Sequence, residues 1–298
     1  LRLLRSLPPA AGMDALRTIV SALAHLDPEA GDLTPQASLR KAVRLTGQVA
    51  GAVAAWGRLA AGRAPVPSDP ALGHAADFLH MLTGERPAPA AARAFDVALV
   101  LHADHELNAS TFAGRVAAAT LADLHSAVVA AIATLKGPLH GGANADVMRM
   151  LLDLGPEATS ARVEEYIRAK LARKEKIPGF GHRVYRTEDP RARHLRRLSR
   201  ELGERAGDTR WFELSQRIEA AVRAERPQLY VNVDFYSASV YHALGIPVDL
   251  FTPIFAVSRM AGWTAHILEQ YADNRLIRPR AEYIGPEYPQ RYVALEER

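Results

Sequence analysis

Apolar residues recur along this chain at three- and four-residue intervals, the spacing of one face of an α-helix. Leu16, Ile19, Val20 and Leu23 form such a stripe within the first 31 residues, after punctuation at Pro8, Pro9 and Gly12. Asp14 is a candidate cap there, and Asp27-Pro28 ends the pattern. A second helix is expected over 38–61, with Leu39, Val43, Val49 and Val53 inward. The turn-rich stretch 62–70 leads to a helix over 69–82, which Gly84 and Pro87 stop. Residues 90–100 run into Leu101-His-Ala-Asp-His-Glu-Leu-Asn108. The alanine-rich stretch 111–135 reads as one long helix. Its small side chains want close neighbours on several sides, which places it centrally.

The second half continues in the same way. Helices are expected over 145–154, over 157–175 with Val163, Ile167 and Leu171 buried, over 191–205 with Leu195, Leu198 and Leu202 as the apolar stripe, and over 211–226. Another runs to Leu244 with Gly245 as its C-cap, and the last spans 257–271 with Trp263 and Ile267 inward. Arg278-Pro279-Arg280, Tyr283 and Gly285 read as a non-helical arm. Few runs of Val, Ile or Thr are long enough for a sheet, so the pattern predicts an all-α fold.

Composition changes this picture little. At 298 residues the chain can bury a large core. It has no cysteine, which removes disulfides, thiolate metal sites and cysteine nucleophiles. A net charge of +4 suits acidic small molecules as well as nucleic acid. No apolar run reaches the roughly 20 residues of a membrane span. The N-terminal residues lack the apolar core and cleavage site of a signal peptide, so a cytoplasmic protein is expected.

Three stretches break the helical pattern with chemistry. The first, Lys174 to Arg191, is KEKIPGFGHRVYRTEDPR. Pro178, Gly179 and Gly181 interrupt any helix, and a glycine turn followed by His182 and Arg183 suits an anionic organic ligand; an ordinary charged loop is the alternative. The second, Lys136 to Asn144, places His140 before Gly141-Gly142 and a new helix. A helix N-terminus disfavours imidazolium, and a neutral ring there can donate a hydrogen bond to a developing enolate. A helix corner with His140 bonded to a backbone carbonyl is the alternative. The third, Leu229 to Ser239, surrounds Asp234 with apolar and aromatic residues. Asp234 is either an N-cap or a base of raised basicity. Arg259 is a lone cation among apolar residues, which is costly unless it meets an anion.

Two further clusters have weaker claims. His102 and His105 are expected on one helix face beside Asp104 and Glu106, a conceivable metal cluster, but the spacing is not HExxH and nothing downstream completes it. Arg193, Arg196, Arg197 and Arg200 could follow a phosphate backbone, yet Glu201 and Glu204 interrupt the run and a solvated helix face accounts for it.

Taken together, GPLHGGAN at 137–144, PGFGHRVYR at 178–186 with DPR at 189–191, NVDFYS at 232–237 and PIFAVSRMAGW at 253–263 resemble the citrate synthase family. ADHELNAST at 103–111 and RPR at 278–280 extend the resemblance over nearly the whole chain. It implies a helical homodimer with a large domain, 1–141 and 245–298, and a small domain, 142–244, with active sites in clefts that close on substrate. It implies acetyl-CoA and oxaloacetate as substrates in the tricarboxylic acid cycle, no tightly bound cofactor, no metal, and no nucleic-acid or membrane partner.

Carried across by motif, the resemblance makes Asp234 the base, His140 the enol-stabilising group and His182 the group that polarises the ketone. His105, Arg191 and Arg259 hold oxaloacetate, with Arg278 reaching the other subunit's site. Lys176, Ile177, Pro178, Gly179, Phe180 and Gly181 meet coenzyme A. 2-Methylcitrate synthase, which takes propionyl-CoA, shares these motifs. There are two departures: family members usually start several dozen residues earlier, and Ala238 stands where a glycine is expected, so that its methyl could crowd the pocket. An impaired member acting as a helical dimerisation protein is the remaining alternative.

Overall fold

A computed structural model describes residues 2–8 and 11–298; the expected punctuation at Pro9 lies outside the described residues. Helix α1 (Arg2–Ser6) leads into α2 (Gly12–Ala24) and the long α3 (Pro35–Ala60). Helices α4 (His74–Thr83), α5 (Pro89–His102), α6 (Ala109–Ala119) and α7 (Leu124–Leu135) follow, then α8 (Ala143–Leu154), α9 (Ser160–Ala172), α10 (Ala192–Ala206), α11 (Arg210–Glu225) and α12 (Val233–Ala243). A 3₁₀ turn at Val248–Leu250 opens α13 (Phe251–Ala272). The fold is all-α. Among the described residues the one strand-like feature is an isolated antiparallel bridge between Phe180 and Val231, and no helix is long and apolar enough to cross a membrane.

Helix α13 is the centre. It is buried on nearly all sides and packs on α3, α5, α6 and α7, with α8 at one end. Helices α8 to α12 pack chiefly on one another, and α10 and α12 meet α5.

Several expectations need correction. The single helix over 111–135 is two helices. Asp123 accepts the N–H of Ser126 at 3.0 Å and so starts α7 afresh, while Leu121 adopts a positive φ of 62° in the turn. The small residues instead let α6 and α7 pack closely: a Cβ on Gly114 would lie 3.4 Å from the Ala127 carbonyl oxygen. The helix expected from residue 69 begins at His74, because Asp69 accepts from the Ala71 N–H and pairs with Arg86 in a turn. Leu39 and Val43 are exposed, while Val49 and Val53 are buried. The inward face of that first part of α3 carries Lys41, whose ammonium donates to the carbonyls of Glu29 (2.9 Å), Ala30 (3.1 Å) and Asp32 (2.5 Å). Three acceptors make a buried ammonium tolerable. The last helix begins six residues before the expected start, since Pro253 falls in its first turn, where no partner is needed for its nitrogen.

His102 and His105 do not share a helix face. Helix α5 ends at His102, and α13 takes the carbonyls of that end: Arg259 Nε donates to His102 O at 2.8 Å, and Gly262 N–H donates to Ala103 O at 3.1 Å. The contact is so close that a Cβ on Gly262 would sit 2.3 Å from Ala103 O. Gly262→Ala should therefore push α13 away from the loop that carries His105. Overpacking of this kind costs about 1–3 kcal/mol, so calorimetry should show a melting temperature lower by roughly 3–10 °C. A variant that melts with the wild type would mean that the loop yields freely.

Candidate active site

Six residues from five separated stretches, His105, His140, His182, Arg191, Asp234 and Arg259, line one cavity of about 510 Å³. Each arrives at the end of an element or in the loop after it, apart from Arg259, which projects from the buried face of α13. Arg278 and the 176–181 segment do not line this cavity; Arg278 is exposed on the C-terminal arm. Ile177 and Gly179 are buried beneath the segment, and Phe180 packs edge-on against Phe235, ring centroids 4.8 Å apart. Gly179 has φ 78°, and a Cβ there would meet Phe235 Cβ at 2.9 Å, so only glycine suits the position.

His140 occupies a turn whose N–H donates to Gly137 O, just before α8. Its Nε2 accepts the backbone N–H of Ser110 at 3.2 Å and lies 2.8 Å from the Ser110 hydroxyl. A backbone amide can only donate, so Nε2 carries a lone pair and the neutral ring holds its proton on Nδ1. Burial pushes the His140 pKa down to about 4, with the Arg259 charge adding to the effect. The neutral ring expected from the sequence is therefore present, but burial rather than the helix dipole is its main cause. Ser110 is itself held: the Trp263 indole donates to its hydroxyl at 3.1 Å.

His182 follows the same logic with the nitrogens exchanged. Its Nδ1 accepts from the Val184 and Tyr185 N–H groups at 3.0 and 3.1 Å, leaving Nε2–H as a donor. Burial lowers its pKa, helped by the nearby Arg191 charge. His105 lies against it, ring centroids 5.0 Å apart, and its pKa is likewise lowered by burial and then by Arg191.

Asp234 is not the N-cap of α12. Asn232 caps the helix, its side-chain oxygen accepting the Asp234 N–H at 3.0 Å, which leaves the Asp234 carboxylate uncommitted in the first turn. Burial raises the Asp234 pKa to about 6 despite the opposing charges of Arg191 and Arg259. Ala238 is buried inside α12 and does not line the cavity, so its methyl does not crowd the site.

The two arginines are held differently. Arg191 pairs with the buried Asp189 through Nε at 3.0 Å and a terminal nitrogen at 2.7 Å, and Asp189 also accepts the Val233 N–H at 3.1 Å. Burial works against that carboxylate, yet its bonds to Arg191 hold it below the usual range. Arg259 is 2% exposed, lies over the Phe255 ring at 4.7 Å and has no ion-pair partner among the described residues. Burial lowers its pKa to about 10, so it remains a cation at neutral pH. These six residues bring two guanidinium groups, three neutral imidazoles and one carboxylate of raised basicity to a cavity whose lining also includes Arg183 and Glu106. Together they can bind a dianion, donate hydrogen bonds to developing negative charge, and remove a proton.

Sequence reasoning missed Ser110, Tyr185, Asp189 and Asn232. Asn108-x-x-Thr111 and Asn232 before a helix are capping patterns that would have marked two of these neighbourhoods. The metal reading fails: His102 is buried with Nδ1 donating to Ala98 O at 2.7 Å, Asp104 turns to His266, and no group of three His, Asp or Glu suited to a metal occurs among the described residues. Three of the four arginines on the arginine-rich face of α10 are paired with carboxylates: Arg197 with Glu201, Arg200 with Glu204, and Arg196 with Glu188 and Glu219.

The family described as citrate synthase, C-terminal domain, matches residues 1–280. Citrate synthase 2 of Bacillus subtilis strain 168 is 58% identical over 286 residues, 96% of this chain and 76% of the relative. Citrate/2-methylcitrate synthase of the same organism is 44% identical over 290 residues, 97% of this chain and 77% of the relative. Among solved structures, the ternary complex of citrate synthase from the archaeon Thermoplasma acidophilum with carboxymethyl coenzyme A and oxaloacetate superposes with a TM-score of 0.88 at 33% identity, covering 99% of this chain and 78% of that one.

The raised Asp234 pKa has a measurable effect on stability. The folded chain keeps this proton up to about pH 6, whereas an unfolded carboxyl releases it near its ordinary value of 3.8. The group's contribution to stability is therefore fully present below pH 3.8 and lost as pH rises through 6. Asp234→Asn has no such loss. It should match the wild type near the acid end and exceed it above neutrality, by about 2–3 kcal/mol. Denaturant titrations at acid and neutral pH check this; an equal offset at both would place the carboxylate in a solvated environment.

Proposed function

Because the chain belongs to the citrate synthase family, we propose from the cavity's donors and its uncommitted carboxylate of raised basicity that it condenses acetyl-CoA with oxaloacetate and hydrolyses citryl-CoA to citrate and free coenzyme A. The observation that carries this reading is the pairing of a carboxylate with pKa about 6 and an imidazole whose proton is pinned to Nδ1 in one cavity. A thioester methyl is a weak carbon acid; its deprotonation needs a base in place and a donor where the carbonyl oxygen gains charge.

In this mechanism Arg191, Arg259 and His105 hold the two carboxylates of oxaloacetate, and His182 Nε2–H points to its ketone oxygen. Asp234 takes a proton from the acetyl methyl while His140 Nδ1–H donates to the thioester oxygen. The enolate carbon then forms a bond to the ketone carbon, and the electron pair of that carbonyl moves to oxygen and takes a proton through His182. Water cleaves the thioester of citryl-CoA. Protons and electron pairs balance without a redox step. Because Asp234 acts as a carboxylate, activity should fall as pH drops through about 6.

The 176–181 segment is assigned to coenzyme A because it borders Asp234 through Phe180 and Phe235. Residues 142–244 are read as a small domain on the mutual packing of α8 to α12. Ligands then lie on both sides of the cleft: His182, Arg191 and Asp234 on one, His105 and Arg259 on the other. Oxaloacetate should close it. A homodimer is proposed in which Arg278 serves the partner's site. Mixing Arg278→Ala and Asp234→Ala chains should restore some activity, since one site of the mixed dimer has both residues; none despite proven exchange would remove the shared site.

Asp234→Asn should reduce both turnover and deuterium exchange of the acetyl methyl by roughly 10²–10⁴-fold, the usual worth of positioned proton transfer, with oxaloacetate binding retained. Arg259→Leu should instead loosen oxaloacetate by about 10- to 100-fold, as loss of a charge-assisted hydrogen bond does. Calorimetry measures the binding, and exchange with a non-condensing oxaloacetate analogue measures the first step. Wild-type exchange in Asp234→Asn would remove the residue as base. Thiol release with acetyl-CoA and propionyl-CoA tests the acyl donor: a pocket discriminates one methylene by only about 1–3 kcal/mol, and preference for propionyl-CoA would make 2-methylcitrate the product.

A further inference from the structure

The Tyr185 side chain is used by nothing in that mechanism, yet it touches two of its residues. Its hydroxyl lies 3.2 Å from His105 Nε2. Its ring packs on both imidazoles, with centroids 5.5 Å from His105 and 4.6 Å from His182. Its backbone N–H donates to His182 Nδ1 at 3.1 Å. His105 belongs to the loop after α5, and Tyr185 to the loop before α10. One residue therefore meets histidines from both walls of the cleft, through its main chain on one side and its phenol on the other.

We propose that Tyr185 is a positioning residue whose O–H donates to His105 Nε2, fixing the imidazole proton on Nδ1 and presenting that N–H to a carboxylate of the keto acid. This deepens the proposed function and rests on it for the identity of the ligand, though not for the tautomer. The direction of the bond follows from the groups. A phenol is the stronger donor and an imidazole nitrogen the stronger acceptor, and the other nitrogen of His105 has no protein partner among the described residues.

The two neighbouring histidines support the same arrangement. His140 accepts a backbone N–H on Nε2, and His182 accepts two on Nδ1. Each is left with an N–H on its other nitrogen. With Tyr185 donating to His105, all three rings follow one rule: the protein occupies the lone pair, and the proton is kept for the ligand. A dicarboxylate offers only acceptors. A His105 ring of the opposite tautomer would turn a lone pair toward a carboxylate oxygen and repel it. Donation from the Tyr185 hydroxyl disfavours that state, in which the phenol oxygen, a weaker acceptor than an imidazole nitrogen, would have to accept Nε2–H instead, and a phenylalanine at this position would keep the ring contacts without this bias.

Tyr185→Phe removes the hydroxyl alone. Long-range nitrogen–proton spectra of histidine-labelled protein, with His105 assigned from a His105→Gln variant, should show the proton on Nδ1 in the wild type and a shift toward Nε2–H in Tyr185→Phe. Oxaloacetate should bind about 3- to 10-fold more weakly to Tyr185→Phe, the net worth of one neutral hydrogen bond. In kinetics the loss should fall on KM for oxaloacetate rather than on KM for the thioester. In a His105→Gln background the same substitution should change oxaloacetate binding by less than about 2-fold, since its effect passes through the imidazole. A wild-type His105 protonated on Nε2, or an equal loss of affinity in both backgrounds, would overturn the proposal. If the wild type bound no oxaloacetate, the functional reading would fall, and the spectra would still decide what Tyr185 does to His105.

Discussion

A guanidinium buried in the middle of the central helix is the constraint around which the site is built. Arg259 keeps its charge inside α13, bonded through Nε to the carbonyl of His102 and stacked on Phe255. Its other nitrogens have no protein acceptor among the described residues, and they border the cavity. A buried cation left this way is unfavourable, so the site has a standing requirement for an anion. One helical turn further on, Gly262 donates to Ala103 O. The two bonds take carbonyls at the end of α5 that would otherwise lack partners. The loop 103–108 therefore leaves α5 from a fixed point, and His105 is placed by that geometry.

The opposite wall depends on a second buried charge. Asp189 joins Arg191 to the first turn of α12, accepting from the guanidinium and from the Val233 N–H. The bridge between Phe180 and Val231 holds the approach to the same turn, with Asn232 N–H donating to Gly179 O at 2.9 Å. Asp234 then stands in the first turn of α12 with its carboxylate uncommitted, because Asn232 has taken the capping role. Its basicity comes chiefly from dry surroundings, with the Asp189 charge adding a smaller part. Each wall is thus tied by one buried ion, Arg259 bonded to a backbone carbonyl and Asp189 bonded to Arg191 and to a backbone N–H, while the Asp234 carboxylate is left out of both ties.

The chain's own pattern carried the all-α class, the inward faces of most helices and the three stretches that break the periodicity. Those breaks held His140, His182, Arg191 and Asp234, since glycine, proline and polar groups at helix ends are where backbone can approach a ligand. Local pattern was a poorer guide where long-range contacts competed with it. The run 111–135 looked continuous because alanine favours a helix at every position, and only the Asp123 cap and the turn at Leu121 divide it. Leu39 and Val43 looked like core because they are apolar, yet the inward face there accommodates Lys41, whose three carbonyl acceptors lie in the loop 29–32.

What the sequence determined by itself was the inventory and its order: which residue types stand at which breaks, and hence the chemistry available to a site. What only the tertiary structure decided was the protonation state and partner of each group. That Asp234 does not cap α12, and so keeps its carboxylate uncommitted, depended on Asn232. The neutral ring of His140 depended on burial and on the Ser110 N–H, thirty residues away in the chain, rather than on the neighbouring helix. The physical reason is common to all of them. Desolvation and hydrogen bonding act over a few ångströms in space, and those distances are set by helices packing together, which no run of neighbouring residues encodes.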